Sequence, residues 1–341
     1  MPSIIDDLQD PFSLPDRTRN VSVVQTHISI VFVADEFVYK IKKPVNFGFL
    51  DFSTLEKRKF YCYMEINLNR RLSKDIYLDV LPVVFDGKRY TMKSGPGNVV
   101  EYAVKMKRIP EEMLLKSVFE RGDLSNHHLR GIAKVLADFH ARALRTPEID
   151  KFGESDRFRI NTDENFEQIE KYIGTSITHK DFHALERWTD NFYDTHKDLF
   201  LMRLREGRIR DCHGDLHMEH ICLTEEISII DCIEFNERFR YGDTAADIAF
   251  LLMDLDYHGG KDHATRLWEY YRELTGEKDV EALLAFFKVY RAVVRGKVNS
   301  FQVDDEALEV EIKEEAIRMA RKYFQLACSY IQSTDSGVFS C

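Results

Sequence analysis

The stretch His213-Gly214-Asp215-Leu216-His217-Met218-Glu219-His220 holds the densest set of reactive side chains in the chain. It is followed by two short apolar runs, Ile221–Leu223 and Ile227–Ile230, and then by Asp231. Runs of that length separated by a few polar residues predict a β-hairpin. A hairpin returns the chain to where it began, so Asp231 is expected close to the loop that carries Asp215. Two carboxylates facing one small site can divide the work that phosphoryl transfer needs. One holds a divalent cation that neutralises phosphate charge, and the other accepts the proton of a hydroxyl nucleophile. A lone aspartate at a strand end is ordinarily a cap or turn residue. It is the presence of Asp215 that favours metal binding at Asp231.

Around this stretch the chain reads as an α+β protein in two parts. In the first, Ile28–Val33 and Phe37–Lys42 form a long β signal broken by the turn Ala34-Asp35-Glu36. Ser53-Thr54-Leu55-Glu56 predicts a capping box, in which hydroxyl and carboxylate each satisfy an orphan backbone N–H. The helix it opens carries Tyr61, Met64, Leu68 and Leu72 on one stripe, and Glu65 borders that stripe and should point inward. Leu78–Phe85 and Lys88–Met92 flank Asp86-Gly87, a hairpin signal. Val100, Tyr102, Val104 and Met106 alternate as a further strand, ending near Ile109-Pro110. Beyond it helical spacing takes over, at Leu129, Ile132, Leu136, Phe139 and Ala143, from about 160 to 207, and from Thr244 to about Ile331. The expected organisation is therefore an N-terminal lobe over 1–107, a helical lobe over 108–335, and a tail over 336–341.

The chain has 341 residues, 44% hydrophobic and 31% charged, enough to bury a large core without staples. Its 58 acidic and 48 basic residues give a net charge of −10, which argues against a nucleic-acid partner and is mildly compatible with a cationic substrate. The apolar run Ile248–Met253 is far shorter than the ~20 residues of a membrane span. The N-terminus has neither a basic region nor an apolar signal core. Six cysteines without a C-x-x-C pair suggest free, mostly buried thiols in a reducing cytoplasm.

His213-Gly214-Asp215-Leu216-His217 followed by Ile229-Ile230-Asp231 resembles the catalytic loop and metal motif of the aminoglycoside phosphotransferase and choline kinase group, within the protein-kinase-like fold. More narrowly, Tyr39-Lys40-Ile41-Lys42-Lys43-Pro44, Gly48-Phe49-Leu50-Asp51-Phe52-Ser53, Asp231-Cys232-Ile233-Glu234-Phe235-Asn236 and Asp247-Ile248-Ala249-Phe250-Leu251 resemble a bacterial branch of that group, often fused to a P-loop ATPase. This chain carries no G-x-x-x-x-G-K-[ST], so such an ATPase is expected only as a partner. The resemblance, which runs from about residue 20 to 300, implies a bilobed fold with a small antiparallel-sheet lobe and a larger helical lobe. It implies ATP-dependent transfer of the γ-phosphoryl group to a small-molecule hydroxyl. Asp215 would be the catalytic base within the His213 motif, and Asp231 would hold Mg2+. Lys40 would pair with the phosphates, Glu65 would be its helix partner, and Lys105–Ile109, with Met106, Lys107 and Arg108, would present backbone groups to adenine. Asp247 resembles the buried aspartate that holds the catalytic loop. Val38 shares a strand face with Lys40 and can roof a base; Lys42 shares that face too and is a rival to Lys40.

Two departures from the group's pattern stand out. H-G-D-x-x-x-x-N places a metal-binding Asn where this chain has His220, and imidazole suits Mg2+ less well than an amide oxygen, so Mn2+ is an alternative. The glycine-rich phosphate loop is replaced by Val24-Gln25-Thr26-His27-Ile28-Ser29, where the Thr26 and Ser29 hydroxyls could serve as donors instead. These departures keep open a nucleotide-binding regulatory module without useful catalysis, a pseudokinase. A metal-dependent hydrolase with zinc or a di-metal centre on His213, Asp215, His217 and His220 is a third reading. His140 reads as a packed helix histidine. Glu234 and Asn236 either support Asp231 or are turn residues. Arg291, Arg295 and Lys297 are a solvated face or an anion site. The proposition underlying the kinase reading is that Asp215 and Asp231 converge beneath a lysine of the other lobe.

Overall fold

The computed structural model describes residues 3–306 and 308–335; the tail expected at 336–341 lies outside the described residues. In chain order the first elements are α1 (Ile4–Gln9), β1 (Ser22–Gln25), β2 (Ser29–Val33), β3 (Phe37–Lys42), α2 (Leu55–Asn69), β4 (Tyr77–Phe85), β5 (Tyr90–Thr91), β6 (Asn98–Lys107) and α3 (Leu115–Glu120). Then come α4 (Asn126–Arg142), α5 (Pro147–Asp150), α6 (Ser155–Ile169), α7 (His179–Thr195), α8 (Lys197–Arg205) and β7 (Ile209–Asp211). The hairpin β8 (Ile221–Leu223) and β9 (Ile227–Ile229) precedes α9 (Glu237–Arg240), β10 (Tyr241–Asp243), α10 (Thr244–Tyr257), α11 (Lys261–Thr275), α12 (Glu281–Phe301) and α13 (Val310–Asp335). These elements divide into two compact units: Met1–Asp123 with Glu219–Arg240, and Leu124–Met218 with Tyr241–Cys341.

The first unit is a six-stranded antiparallel sheet in the order β1-β2-β3-β6-β4-β5. Both faces are covered. Cys62 and Ile66 of α2 pack with Tyr77, Val80 and Val104 on one face. Leu8 and Leu14 of the N-terminal segment pack with Phe32, Tyr39, Ile41, Val83 and Ala103 on the other. With two buried faces, β6 cannot follow the simple alternation expected from Val100 to Met106, and Glu101, Ala103 and Val104 are its buried residues. The β8–β9 hairpin belongs to this unit. Leu114 bridges Cys222, and the Ile229 amide donates to the Leu72 carbonyl.

Helix α2 differs from its sequence reading in two respects. Its N-cap is Thr54, whose hydroxyl accepts the Lys57 amide, while Ser53 donates to the Asp51 carboxylate, a stronger acceptor than a backbone group. Its buried face runs through Arg58, Cys62, Glu65, Ile66, Leu68 and Asn69; of the expected stripe Leu68 and Leu72 are buried, whereas Tyr61 and Met64 are only partly so. Polar side chains take interior positions there because each meets a partner. Arg58 Nε, for example, lies 2.8 Å from Glu101 Oε2 on β6.

The second unit is almost wholly helical. Its core joins α6, α7, α10, α12 and α13 through Phe166, Phe182, Phe250, Val293 and Tyr323. Helix α10 is buried from Thr244 to Leu255, which explains its near-continuous apolar sequence. Arg203 is fully buried between Asp243 and Glu277. Among the described residues no helix is long and apolar enough to cross a membrane.

Candidate active-site residues

Strand β3 alternates, so Val38, Lys40 and Lys42 share one face of the sheet, the face that carries α2. Val38 stands opposite Met106 in the ladder, and Met106 packs against the α2-side cluster. Lys40 Nζ lies 2.7 Å from Asp231 Oδ1, a hydrogen-bonded ion pair, and 3.0 Å from Glu65 Oε1, off the line of a hydrogen bond. The Lys42 ammonium donates to Glu65 Oε2 at 2.6 Å and to Glu234 Oε1. Glu65 therefore points inward as its register predicts, and it serves both lysines. Lys40 is the one that meets Asp231.

These pairings set the protonation states. Burial alone would lower the pKa of Lys40, but Asp231, Glu65 and Glu234 outweigh it and hold the group well above its ordinary value. Burial would likewise raise Glu65; two ammonium partners reverse that and hold it below the usual carboxylate range. Glu234, buried with a single direct ammonium partner, is pushed up by burial.

The β8–β9 ladder pairs Ile221 with Ile229, and the Ile230 amide donates to the His220 carbonyl. The hairpin thereby returns Asp231 to His220, whose Nε2 lies 3.6 Å from Asp231 Oδ2. Asp231 holds a left-handed φ of 62°, uncommon for a residue with a Cβ. Its amide donates to the Tyr77 hydroxyl at 3.1 Å and the next amide, of Cys232, donates to Asn69 Oδ1 at 2.9 Å. The Asp231 side chain remains 41% exposed.

At the end of β6 the Lys107 amide donates to the Ile76 carbonyl and the Arg108 amide to the Glu36 carbonyl, so both are engaged inside the unit. In the turn between β1 and β2 the Thr26 hydroxyl accepts the amides of Ser29 and Ile28, and the Ser29 hydroxyl is buried. Of the two hydroxyls expected as phosphate donors, that of Thr26 thus closes the turn and that of Ser29 is buried without a hydrogen-bond partner among the described residues.

In the second unit the loop after β7 is held from below by α10. Asp247 Oδ2 accepts the His213 amide at 3.0 Å and Oδ1 the Gly214 amide at 2.8 Å. His140 Nε2 lies 3.1 Å from Asp247 Oδ2, and its Nδ1 lies 2.7 Å from the Tyr271 hydroxyl. Burial alone would raise the Asp247 carboxyl; His140 and the His213 amide outweigh it and hold the group well below its ordinary value. His213 is fully buried, and its Nδ1 accepts the Asp215 amide at 3.3 Å. Gly214 takes φ 87°, the left-handed turn that a side chain would strain. Asp215 is left a third exposed, with His217 Nε2 3.6 Å from its Oδ2.

Sequence reasoning left Arg291 open between surface and site. It is buried, and it donates to the Gly214 carbonyl at 2.9 Å, so it braces the same loop from α12. Arg295 donates weakly to the Tyr323 hydroxyl, and Lys297 to Asn165 Oδ1 at 2.7 Å. Asp254, which accepts the Met218 amide at 2.9 Å, was missed; the only signal was a charged residue closing the apolar run of α10.

Residues 62–284 match the profile of the phosphotransferase enzyme family. The chain belongs to that family. Similar relatives of this phosphotransferase-family chain include an uncharacterised protein of Mycobacterium tuberculosis, 32% identical over 313 residues that cover 92% of this chain and 60% of the relative. An uncharacterised protein of Mycobacterium bovis matches with the same figures. The chain thus spans about 60% of the length of these relatives. Among solved structures, a choline/ethanolamine kinase family protein of Mesorhizobium loti is similar at a TM-score of 0.51 and 13% identity, over 92% of this chain and 93% of that one. An amicoumacin kinase solved with AMP-PNP, Ca2+ and Ami is similar at a TM-score of 0.53 and 12% identity, over 89% and 88%. At such identities the likeness is one of fold, the protein-kinase-like fold.

Proposed function

We propose that this chain transfers the γ-phosphoryl group of ATP to a hydroxyl of a small molecule. The observation that carries the reading is the line Glu65–Lys40–Asp231: an ammonium held by a fully buried helix glutamate and turned toward a half-exposed carboxylate. A triphosphate needs that cation, and a divalent metal needs that carboxylate. Asp231 with His220 offers one oxygen and one nitrogen donor side by side. Such a set fits Mn2+, and fits Mg2+ that keeps several waters. A bound divalent ion would neutralise phosphate charge there.

In this reading Lys40 contacts the phosphates and Glu65 keeps its ammonium aimed. Val38 and Met106 offer apolar surface to a base, and Lys107 and Arg108 offer it carbonyls, since their amides are engaged. Asp215 accepts the proton of the acceptor hydroxyl. His213 acts by positioning Asp215 from beneath, because it is fully buried. The amicoumacin kinase that shares the fold was solved with AMP-PNP and Ca2+, which supports a metal nucleotide as the ligand. A structure with Mg-AMP-PNP is expected to show the metal on Asp231 and Lys40 swung onto the phosphates. A nucleotide bound away from Lys40 and Asp231 would overturn the proposal.

A nucleotide-binding module without turnover is the second reading, favoured by the closed Thr26–Ser29 turn and by the imidazole at position 220. A thermal shift with Mg-ATP, but no ADP formed across a panel of aminoglycosides, sugars and amino alcohols, would select it.

A further inference from the structure

Lys40 and Lys42 stand two residues apart on β3, and Asp231 and Glu234 three apart on the loop after β9. Each lysine takes one oxygen of Glu65 and one of the loop carboxylates. The result is a ladder with an outer rung, Lys40–Asp231, and an inner rung, Lys42–Glu234. Their exposures differ sharply: 16% and 41% on the outer rung, 1% and 6% on the inner one. Lys42 is further shut in by the Phe52 ring, 4.8 Å from its ammonium.

A nucleotide that draws the Lys40 ammonium onto its phosphates must break the outer rung, since that ammonium already donates to Asp231 Oδ1. The inner rung is out of reach of solvent and ligand alike. It ties the same loop to the same strand and keeps Glu65 occupied at Oε2, leaving Oε1 for Lys40. We propose that Glu234, through Lys42, is a positioning residue: an inner clamp that keeps both partners of Lys40 in register while Lys40 changes from Asp231 to the nucleotide. The inference rests on the reading of Lys40 and Asp231 given above. The neutral contacts of the Asp231 and Cys232 amides hold the peptide locally. The clamp adds a charged tie on the far side of the loop.

Hydrogen exchange of the segment 229–236 tests the clamp without any nucleotide. Lys40→Ala mimics the broken outer rung. In that variant the segment should keep its protection within about threefold, whereas Lys40→Ala with Glu234→Gln should exchange at least about tenfold faster, with α12 unchanged as the control for folding. Should that double variant fail to fold, Lys42→Met with Glu65→Gln and Glu234→Leu in the Lys40→Ala background, which leaves no lone buried charge, is expected to show the same loss. The clamp is overturned if Lys40→Ala alone frees the segment as fully as the double variant, or if removing Glu234 changes nothing. Mg-ATP titration is read separately. Glu234→Gln should bind at least about tenfold more weakly than the unaltered chain. Failure of the unaltered chain to bind Mg-ATP would count against the kinase reading and leave the exchange result to decide the clamp.

Discussion

Lys40 Nζ bridges Glu65 and Asp231, at 3.0 Å and 2.7 Å, while Lys42 Nζ holds the other oxygen of the same glutamate at 2.6 Å. Two lysines two residues apart thus share one buried acid yet differ in what their loss should do. Lys40→Met leaves Glu65 with Lys42 and Asp231 with solvent, so the fold should persist while turnover falls by about a hundredfold or more. Lys42→Met strands Glu234 in a buried place and should cost about 3–5 kcal/mol of stability. Urea denaturation beside a turnover assay checks both; equal stability losses for the two variants would contradict the division.

Asp247 carries the pH prediction. Its folded pKa lies below the ordinary value near 3.8 because of His140 and the His213 amide, against the opposing effect of burial. A depressed acid contributes stability above its unfolded pKa and loses it as the pH falls. Between about pH 5 and about pH 3 the unaltered chain should therefore lose stability more steeply than Asp247→Asn, the difference approaching at most about 1.4 kcal/mol per pH unit. Parallel slopes would show that Asp247 does not titrate with folding.

Arg203 is a control remote in role. It is fully buried between Asp243 and Glu277. Arg203→Met leaves buried Asp243 without its guanidinium and Glu277 with Arg208 alone, and should destabilise by about 3–5 kcal/mol. Mg-ATP affinity, measured well below the melting temperature, should stay within about twofold.

Gly296 lies inside α12, where alanine would ordinarily help the helix by about 1 kcal/mol. A Cβ there would meet the Phe324 ring of α13 at 2.6 Å. Gly296→Ala should therefore destabilise by about 1–3 kcal/mol; a raised melting temperature would show that the two helices can separate freely.

Much of this was legible in the sequence where a local rule was strong. The β2–β3 break at 34–36, the Asp86-Gly87 hairpin and the β8–β9 hairpin follow from turn chemistry and strand period, which act over a few residues. The inward Glu65 followed from helix register. The buried face of α2 did not, because Arg58, Glu65 and Asn69 are interior only by virtue of partners distant in sequence: Glu101, the two lysines of β3, and the Cys232 amide. Both-sided burial of the sheet was hidden for the same reason, since the covering Leu8 and Leu14 lie in a segment with little periodicity. Thr26 read as a phosphate donor because hydroxyl chemistry is visible in sequence, whereas its closure onto the Ser29 amide is not. Arg291 could not be assigned from a helix face alone; its meaning lies in the Gly214 carbonyl it reaches.

The central claim, that Asp231 carries the metal and Asp215 the proton, is tested most directly by titrating Mg-ATP into Asp215→Ala and Asp231→Ala side by side. The account predicts that Asp215→Ala binds within about threefold of the unaltered chain while turnover falls by about a thousandfold or more. Asp231→Ala should bind at least about tenfold more weakly. Unchanged affinity in Asp231→Ala, or an equal collapse of binding in Asp215→Ala, would contradict it.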